Sequence, residues 1–74
     1  MGKRYRYYEV GCEPNGSFQA FAKFKDALRE YKYRIHINQG DAKGYVLNAI
    51  VCFDEQHDEI ETAYALYEDG KRTY

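Results

Sequence analysis

The chain has 74 residues and a mass of 8.8 kDa, which is below the usual size of one domain and excludes a second independent core. Hydrophobic residues make up 45% of the chain and aromatic residues 18%, a composition that excludes an intrinsically disordered protein. The net charge of −1 is unevenly distributed, because residues 1–37 carry +4 and residues 38–74 carry −5.

The chain begins with a pattern that predicts two strands joined by a turn. Residues 4–10 are rich in β-formers and stop at Gly11. A turn at 13–16 follows, where a proline precedes Asn-Gly. Residues 17–21 fit either a short second strand or the first turn of a helix capped by Ser17, and we favour the strand.

The next segment predicts the main helix, which starts at about Ala22. Its apolar residues recur at steps of three and four, namely Phe21, Phe24, Leu28 and Tyr31. From Tyr33 the pattern alternates instead, which predicts a strand over residues 33–38. Because Ile35 also continues the helical stripe, a helix that ends at about residue 37 is the alternative.

The second half of the chain predicts one central strand and one ambiguous element. Residues 45–53 are apolar at almost every position, as in a strand that is covered on both faces. Residues 58–69 fit a strand, with 54–58 as the hairpin loop. They also fit a helix that starts with a capping box and ends before Gly70, but their Thr and Tyr content favours the strand.

These elements predict an α+β fold in a single domain over residues 1–74. The sheet is expected to be antiparallel, with four or five strands and one main helix packed on one face, in roughly ββαβββ order. One helix cannot cover both faces of such a sheet, so we expect many tyrosines and charged side chains to lie at the surface.

Residues 54–61 contain five carboxylates in eight positions. Such a charge density can steer a basic protein surface onto the chain, although it also suits a hydrated loop. Tyrosines that follow it provide large, rigid contact area. We therefore predict a partner-binding surface formed by Asp54, Glu55, Asp58, Glu59, Glu61, Tyr64 and Tyr67.

Cations and tyrosines alternate in residues 3–8, 31–34 and 71–74, which suits single-stranded nucleic acid as an alternative partner. This hypothesis places Arg34 and His36 on the sheet face opposite the helix. The isoelectric point of 6.1 and the lack of an RNP-like motif count against it. The residues of the alternative site are Arg4, Arg6, Tyr8, Lys32, Arg34 and Lys71.

The sequence contains no pattern typical of an active site or of a metal centre. It has no nucleophile beside a base and no glycine-rich phosphate loop, and His36 and His57 lie far from Cys12 and Cys52 in the chain. We expect both cysteines to be reduced, because neither belongs to a Cys-x-x-Cys pair. The expectation is a protein that is not an enzyme and that holds no metal or cofactor.

Together these features predict a non-catalytic protein-interaction module, a small regulator or inhibitor of another protein. Small α+β chains of this kind are common among accessory proteins of phages and other mobile elements. We also expect self-association as a homodimer, because an exposed tyrosine-rich strand edge favours pairing with a second copy. No apolar run is long enough to span a membrane and no secretory leader is present, so we expect a cytoplasmic location.

Overall fold

The computed structural model describes the backbone of residues 3–13, 16–55 and 58–74, and the side chains of 7–13, 16–51 and 61–74. The strands form one antiparallel sheet in the order β2-β1-β3-β4-β5. This confirms the predicted α+β class and the ββαβββ order. The elements are β1 Lys3–Cys12, β2 Gln19–Phe21, α1 Phe24–Ile37, β3 Tyr45–Glu55, β4 Asp58–Glu68 and β5 Lys71–Arg72.

Helix α1 includes the segment for which the sequence favoured a strand. Residues 33–37 continue the helix, so the strand predicted over 33–38 is wrong and the alternative helix end near residue 37 is right. The helical stripe prevails because Ile35 packs against the core, while its neighbour Arg34 reaches back to β1 and to the segment that leads into β2. The third strand after the helix is the short β5 instead.

Strand β3 is the central strand and is buried on both faces, as its apolar run predicts. Leu47, Ala49 and Val51 alternate with Val46 and Ile50, and all five side chains are buried. The flanking strands β1 and β4 pair with β3 over most of its length. This double burial explains why β3 lacks the polar alternation of an edge strand.

The main core lies between α1 and the sheet. Val10, Ala27, Tyr31 and Leu47 form its buried centre, and α1 packs over β1, β2 and β3. The side chains that pack around this centre are Tyr8, Phe21, Phe24, Leu28, Ile35, Tyr45, Leu66 and Tyr67.

A close contact between Gly11 and Phe18 covers part of the other face of the sheet. A Cβ atom at Gly11 would lie 2.6 Å from the Phe18 ring, so only glycine lets the ring approach the strand this closely. Gly11 faces Val46 in the strand register, and Val46 is buried. The Phe18 ring thus shields the face that α1 does not reach.

The connections between strands are tight. Strand β3 continues to Glu55 and β4 begins at Asp58, which confirms the hairpin but makes its loop shorter than predicted; residues 56 and 57 lie outside the described residues. The predicted turn at 13–16 also falls partly outside them, at Pro14 and Asn15. Asp69 and Gly70 join β4 to β5 with φ angles of 52° and 83°, the conformation of a type I′ hairpin turn.

The register keeps the two cysteines apart. Cys12 faces Tyr45 and Cys52 faces Arg4. Seven residues of β3 separate these positions, roughly 23 Å, which is far beyond the reach of a disulfide. In the part of the chain that the structure describes, no helix is long and apolar enough to cross a membrane.

Candidate interaction surface

The carboxylates predicted to bind a partner lie together at the far end of the β3–β4 hairpin. Asp54 faces Glu59 and Glu55 faces Asp58, so two pairs of acidic residues lie directly across the two strands. Their Cα atoms are roughly 5 Å apart in such pairs. We define Asp54, Glu55, Asp58, Glu59 and Glu61 as the acidic arm.

The acidic arm extends beyond the part of the sheet that α1 covers. Phe24, the first residue of α1, contacts Tyr8 with ring centroids 5.7 Å apart, and Tyr8 faces Ala49 of β3. Glu55 lies six residues farther along β3, or about 20 Å. The molecule is accordingly elongated, 46 × 23 × 21 Å, with a radius of gyration of 13.2 Å where about 11 Å is typical for this length.

Charge is also segregated along the hairpin. Between Gly44 and Gly70 the sequence has seven carboxylates and no Lys or Arg. At this end of the sheet, β1 places Lys3 and Arg4 opposite Phe53 and Cys52 of β3. Strand β4, whose sequence contains Asp58, Glu59 and Glu61, lies on the far side of β3 from those cations and forms an acidic border of the sheet.

Strand β4 also forms an open edge along this border. Strand β5 pairs only with Tyr67 and Glu68, and the Thr73 N–H donates to the Leu66 carbonyl. Among the described residues no strand pairs with the outer side of β4 from Asp58 to Ala63. An edge of this length can accept a further strand, and its glutamates restrict which strand that is.

The structure separates the two tyrosines of the predicted partner site. Tyr64 is 42% exposed and lies on the same strand as the acidic arm. Tyr67 is half-buried, because its ring packs 5.5 Å from that of Tyr31 and 6.2 Å from that of Tyr74. Tyr64 is therefore the tyrosine of the predicted set that is presented at the surface next to the arm.

A shallow trough runs along one flank of α1. Its volume is about 430 Å³, and Lys25, Arg29 and Lys32 line it above the apolar floor of Phe24 and Leu28. The three cations recur at i, i+4 and i+7, which places them on one face of the helix. We define these five residues as the α1 trough.

The apolar surface continues from the α1 trough toward β4. Phe24 also lines a hollow of about 310 Å³ with Tyr8, Leu66 and Tyr74. The α1 trough is therefore on the flank of the helix nearest to β4. The backbone of α1 lies over β1, β2 and β3, and the helix reaches β4 through side chains such as Tyr31, which packs on Tyr67.

Residues of the alternative nucleic-acid site are dispersed. Arg34 and His36 belong to α1, so the predicted placement of both on the opposite sheet face is wrong. Lys71 lies in β5, which β3 and β4 separate from the strand that holds Arg4 and Arg6. Lys32 faces solvent on the helix, and Tyr8 is half-buried beneath Phe24.

Arg34 is occupied by contacts within the fold. Its Nε atom donates to Glu30 at 2.7 Å, and its Nη1 atom donates to the carbonyls of Val10 and Ser17 at 3.3 Å each. Its Nη2 atom donates to the Gln19 side chain at 3.1 Å. A guanidinium held in this way connects α1 to the β1–β2 edge rather than presenting its donors to an outside ligand.

The α1 trough and the hollow beside Leu66 are lined by apolar, aromatic and cationic side chains. Neither the α1 trough nor the hollow beside Leu66 is lined by a histidine, a cysteine or a carboxylate. Among the described side chains, those of residues 7–13, 16–51 and 61–74, no cluster of His, Cys, Asp and Glu is arranged to hold a metal ion. What these surfaces offer is charge and apolar contact area.

Sequence reasoning did not identify the α1 trough. The sequence predicts Phe24 and Leu28 as members of the helical stripe and Lys32 as part of the alternative nucleic-acid site, and it gives no role to Lys25 or Arg29. The 25, 29, 32 spacing was the available signal, but the trough also depends on how far β4 lies from α1, which is a tertiary property.

Comparisons of this chain with protein-family models, with curated proteins and with solved structures find no match.

Proposed function

We propose that the protein is a non-catalytic binding module, a regulator or inhibitor that engages a basic surface of another protein through its acidic arm. The observation that carries the proposal is the coincidence of two features on β4. The strand bears Asp58, Glu59 and Glu61, and its outer edge carries no strand from Asp58 to Ala63 among the described residues.

The arm and the rest of β4 supply three kinds of interaction at once. Its carboxylates attract a basic partner over distances up to the Debye length, about 8 Å at physiological ionic strength. The open backbone edge then pairs with an extended segment, and the exposed Tyr64 provides an apolar anchor beside it. A basic, extended segment is the partner that satisfies all three features.

The acids of the arm are also costly to the fold, which favours a functional role for them. Like charges directly opposite in a sheet destabilise the pairing, and the arm has two such pairs.

Affinity capture from the native host tests the proposal when wild type and two matched variants are compared. The arm variant is D58N/E59Q/E61Q, and the control E13Q/D41N/E68Q neutralises three exposed acids elsewhere. We expect the wild type and the control to retain the same protein under nuclease treatment, and the arm variant to lose it. The on-rate of the arm variant should fall about tenfold or more at low salt, with a flatter salt dependence.

Hydrogen exchange locates the contact in the captured complex. Amides of residues 58–63 should gain protection when the partner binds. Capture that is abolished by nuclease would instead support the alternative of nucleic-acid binding. Equal retention by the arm variant, or protection that avoids β4, would contradict the proposed role of the arm.

A further inference from the structure

We propose that a second copy of this chain is one partner of the acidic arm, and that the arm of each copy docks on the α1 trough of the other. This inference rests on the proposed function, because it assigns an occupant to the carboxylates of the same acidic arm. It adds the second surface, the chemistry that matches it and the symmetry of the assembly. The α1 trough is part of a helix, so this contact uses the charges of the arm and not the open backbone edge of β4.

The charges of the two surfaces are complementary. The trough presents Lys25, Arg29 and Lys32. Among the described side chains, Asp26 lies 3.9 Å from Arg29 in a pair whose side chains are 47% and 74% exposed, so solvent screens this ion pair. The arm carries five carboxylates with no cation between Gly44 and Gly70.

The dimensions of the two surfaces also agree. The trough runs from Phe24 to Lys32, about 12 Å along the helix axis. On β4 the acidic residues run from Asp58 to Glu61, about 10 Å along the strand. One edge of the arm therefore matches the length of the trough.

The apolar floor of the trough favours a protein segment over a nucleic acid. Phe24 and Leu28 form that floor, and a phosphate backbone does not cover apolar surface. The arm sequence supplies apolar residues next to its acids, because Phe53 precedes Asp54 and Ile60 lies between Glu59 and Glu61. An acidic segment with large apolar residues is the chemistry that this trough fits.

The arm cannot reach the trough of its own chain, so the contact has to be intermolecular. Helix α1 begins over the Tyr8 and Ala49 positions and runs toward Tyr45, away from the arm. The arm is held in line with the sheet by its pairing within the β3–β4 hairpin. A twofold axis lets both copies form the contact at once and closes the assembly as a dimer, the commonest symmetry of small oligomers.

Charge reversal in two separate variants tests this arrangement. The trough variant K25E/R29E/K32E has an acidic trough and an acidic arm. The reversed-arm variant D58K/E59K/E61K has a basic trough and a more basic arm. By sedimentation equilibrium at low salt, we expect the wild type to be dimeric and each variant alone to be monomeric with unchanged circular dichroism. An equimolar mixture of the variants should form a heterodimer, because both contacts are again complementary.

Zero-length carbodiimide cross-linking of a mixture of ¹⁴N and ¹⁵N wild-type protein provides a second readout. Mixed-isotope links should join Lys25 or Lys32 to carboxylates of the acidic arm. Links restricted to one isotope, or a wild-type dimer that persists in both variants, would overturn the assignment.

A monomeric wild type would also overturn the assignment. If the wild type then binds a fluorescent single-stranded oligonucleotide and the trough variant does not, the trough is a nucleic-acid site. The failure of this inference is distinguishable from failure of the proposed function. If the protein is a monomer and its arm still captures another protein, this inference fails and the proposed function stands. If the protein is a dimer and captures no other protein, the proposed function fails and the second copy is the only partner of the arm.

Discussion

Tyr31 shows why one hydroxyl matters in so small a core. Its side chain is 2% exposed, and its hydroxyl donates to the Tyr45 carbonyl at 2.9 Å and accepts from the Gly70 N–H at 2.8 Å. These bonds connect the helix to the start of β3 and to the turn between β4 and β5. A phenylalanine would fill the same volume but leave both backbone groups without this partner.

We predict that Y31F destabilises the protein by about 1–3 kcal/mol, the usual cost of leaving buried polar groups unsatisfied. Urea unfolding at neutral pH measures the difference in the free energy of unfolding. The control Y33F changes a tyrosine that is 56% exposed and should alter stability by less than about 0.5 kcal/mol. Equal effects of the two substitutions would show that the Tyr31 hydroxyl does not hold the fold together.

The same residue predicts a pH dependence. Burial raises the pKa of the Tyr31 phenol above its ordinary value of 10.0; the Gly70 hydrogen bond opposes this, and the Asp69 carboxylate adds to it. The stability due to the raised pKa is fully present below pH 10 and is lost as the pH rises through the pKa of the folded state. Above pH 10 the wild type should therefore lose more stability than Y31F, and parallel curves would contradict this origin.

At the scale of elements, Arg34 is the connection between α1 and the short strand β2. A three-residue strand at the edge of the sheet has few contacts of its own. The guanidinium compensates by bonding to Val10, Ser17 and Gln19 while Glu30 fixes its orientation. Its side chain is 22% exposed, so these bonds are partly shielded from water.

We predict that R34K destabilises the protein by about 1–2 kcal/mol, because lysine cannot reproduce the planar fork of donors. Hydrogen exchange should locate the loss at residues 17–21. The matched control R29K changes a side chain that is 74% exposed and should leave stability within about 0.5 kcal/mol. A loss of nucleic-acid binding in R34K at unchanged stability would instead revive the alternative site.

The sequence predicted an element correctly where its apolar residues matched only one pattern, that of a helix or that of a strand. The apolar run of β3 and the β-forming residues of β1 matched only the strand pattern, and both strands were predicted correctly. Residues 33–37 fitted both helix and strand, and the choice was settled by the packing of Ile35, which no local pattern reveals. Asp69-Gly70, a strong hairpin signal, would have settled the last element as a strand without coordinates.

Of the two candidate surfaces, the sequence predicted the acidic arm and did not predict the α1 trough. The sequence placed the acids of the arm in one segment, and the hairpin register then set Asp54 opposite Glu59. The α1 trough required knowledge of how α1 packs over β1, β2 and β3. Proximity along the chain was predictable, and proximity across layers was not.

At the scale of the whole molecule, the acidic arm and the α1 trough lie apart in an elongated fold. The arm lies about 20 Å beyond the first turn of α1, where the helix offers it neither cover nor countercharge. A chain of this length buries only about 60% of the surface it exposes when unfolded, so a partner adds stability that the monomer lacks. The arm and the trough are the places where such a partner adds most.

The arm should therefore show a trade between stability and binding. In D58N/E59Q each facing pair keeps only one carboxylate, so the free energy of unfolding in dilute protein at low salt should rise by about 0.2–1 kcal/mol per pair. This gain should shrink as salt screens the repulsion in the wild type. Binding to the captured partner should weaken in the same variant.

The control E13Q/E68Q makes the same change in net charge without relieving a facing pair of acids, because Glu68 lies opposite Lys71 in the register. It should give no gain in stability and no loss of binding. Urea unfolding at two salt concentrations, paired with on-rates for the same proteins, measures both quantities. If D58N/E59Q is stabilised and binds as well as the wild type, these acids are dispensable for binding and the arm is not the binding surface. If D58N/E59Q is destabilised, the facing carboxylates do not repel each other as the register implies.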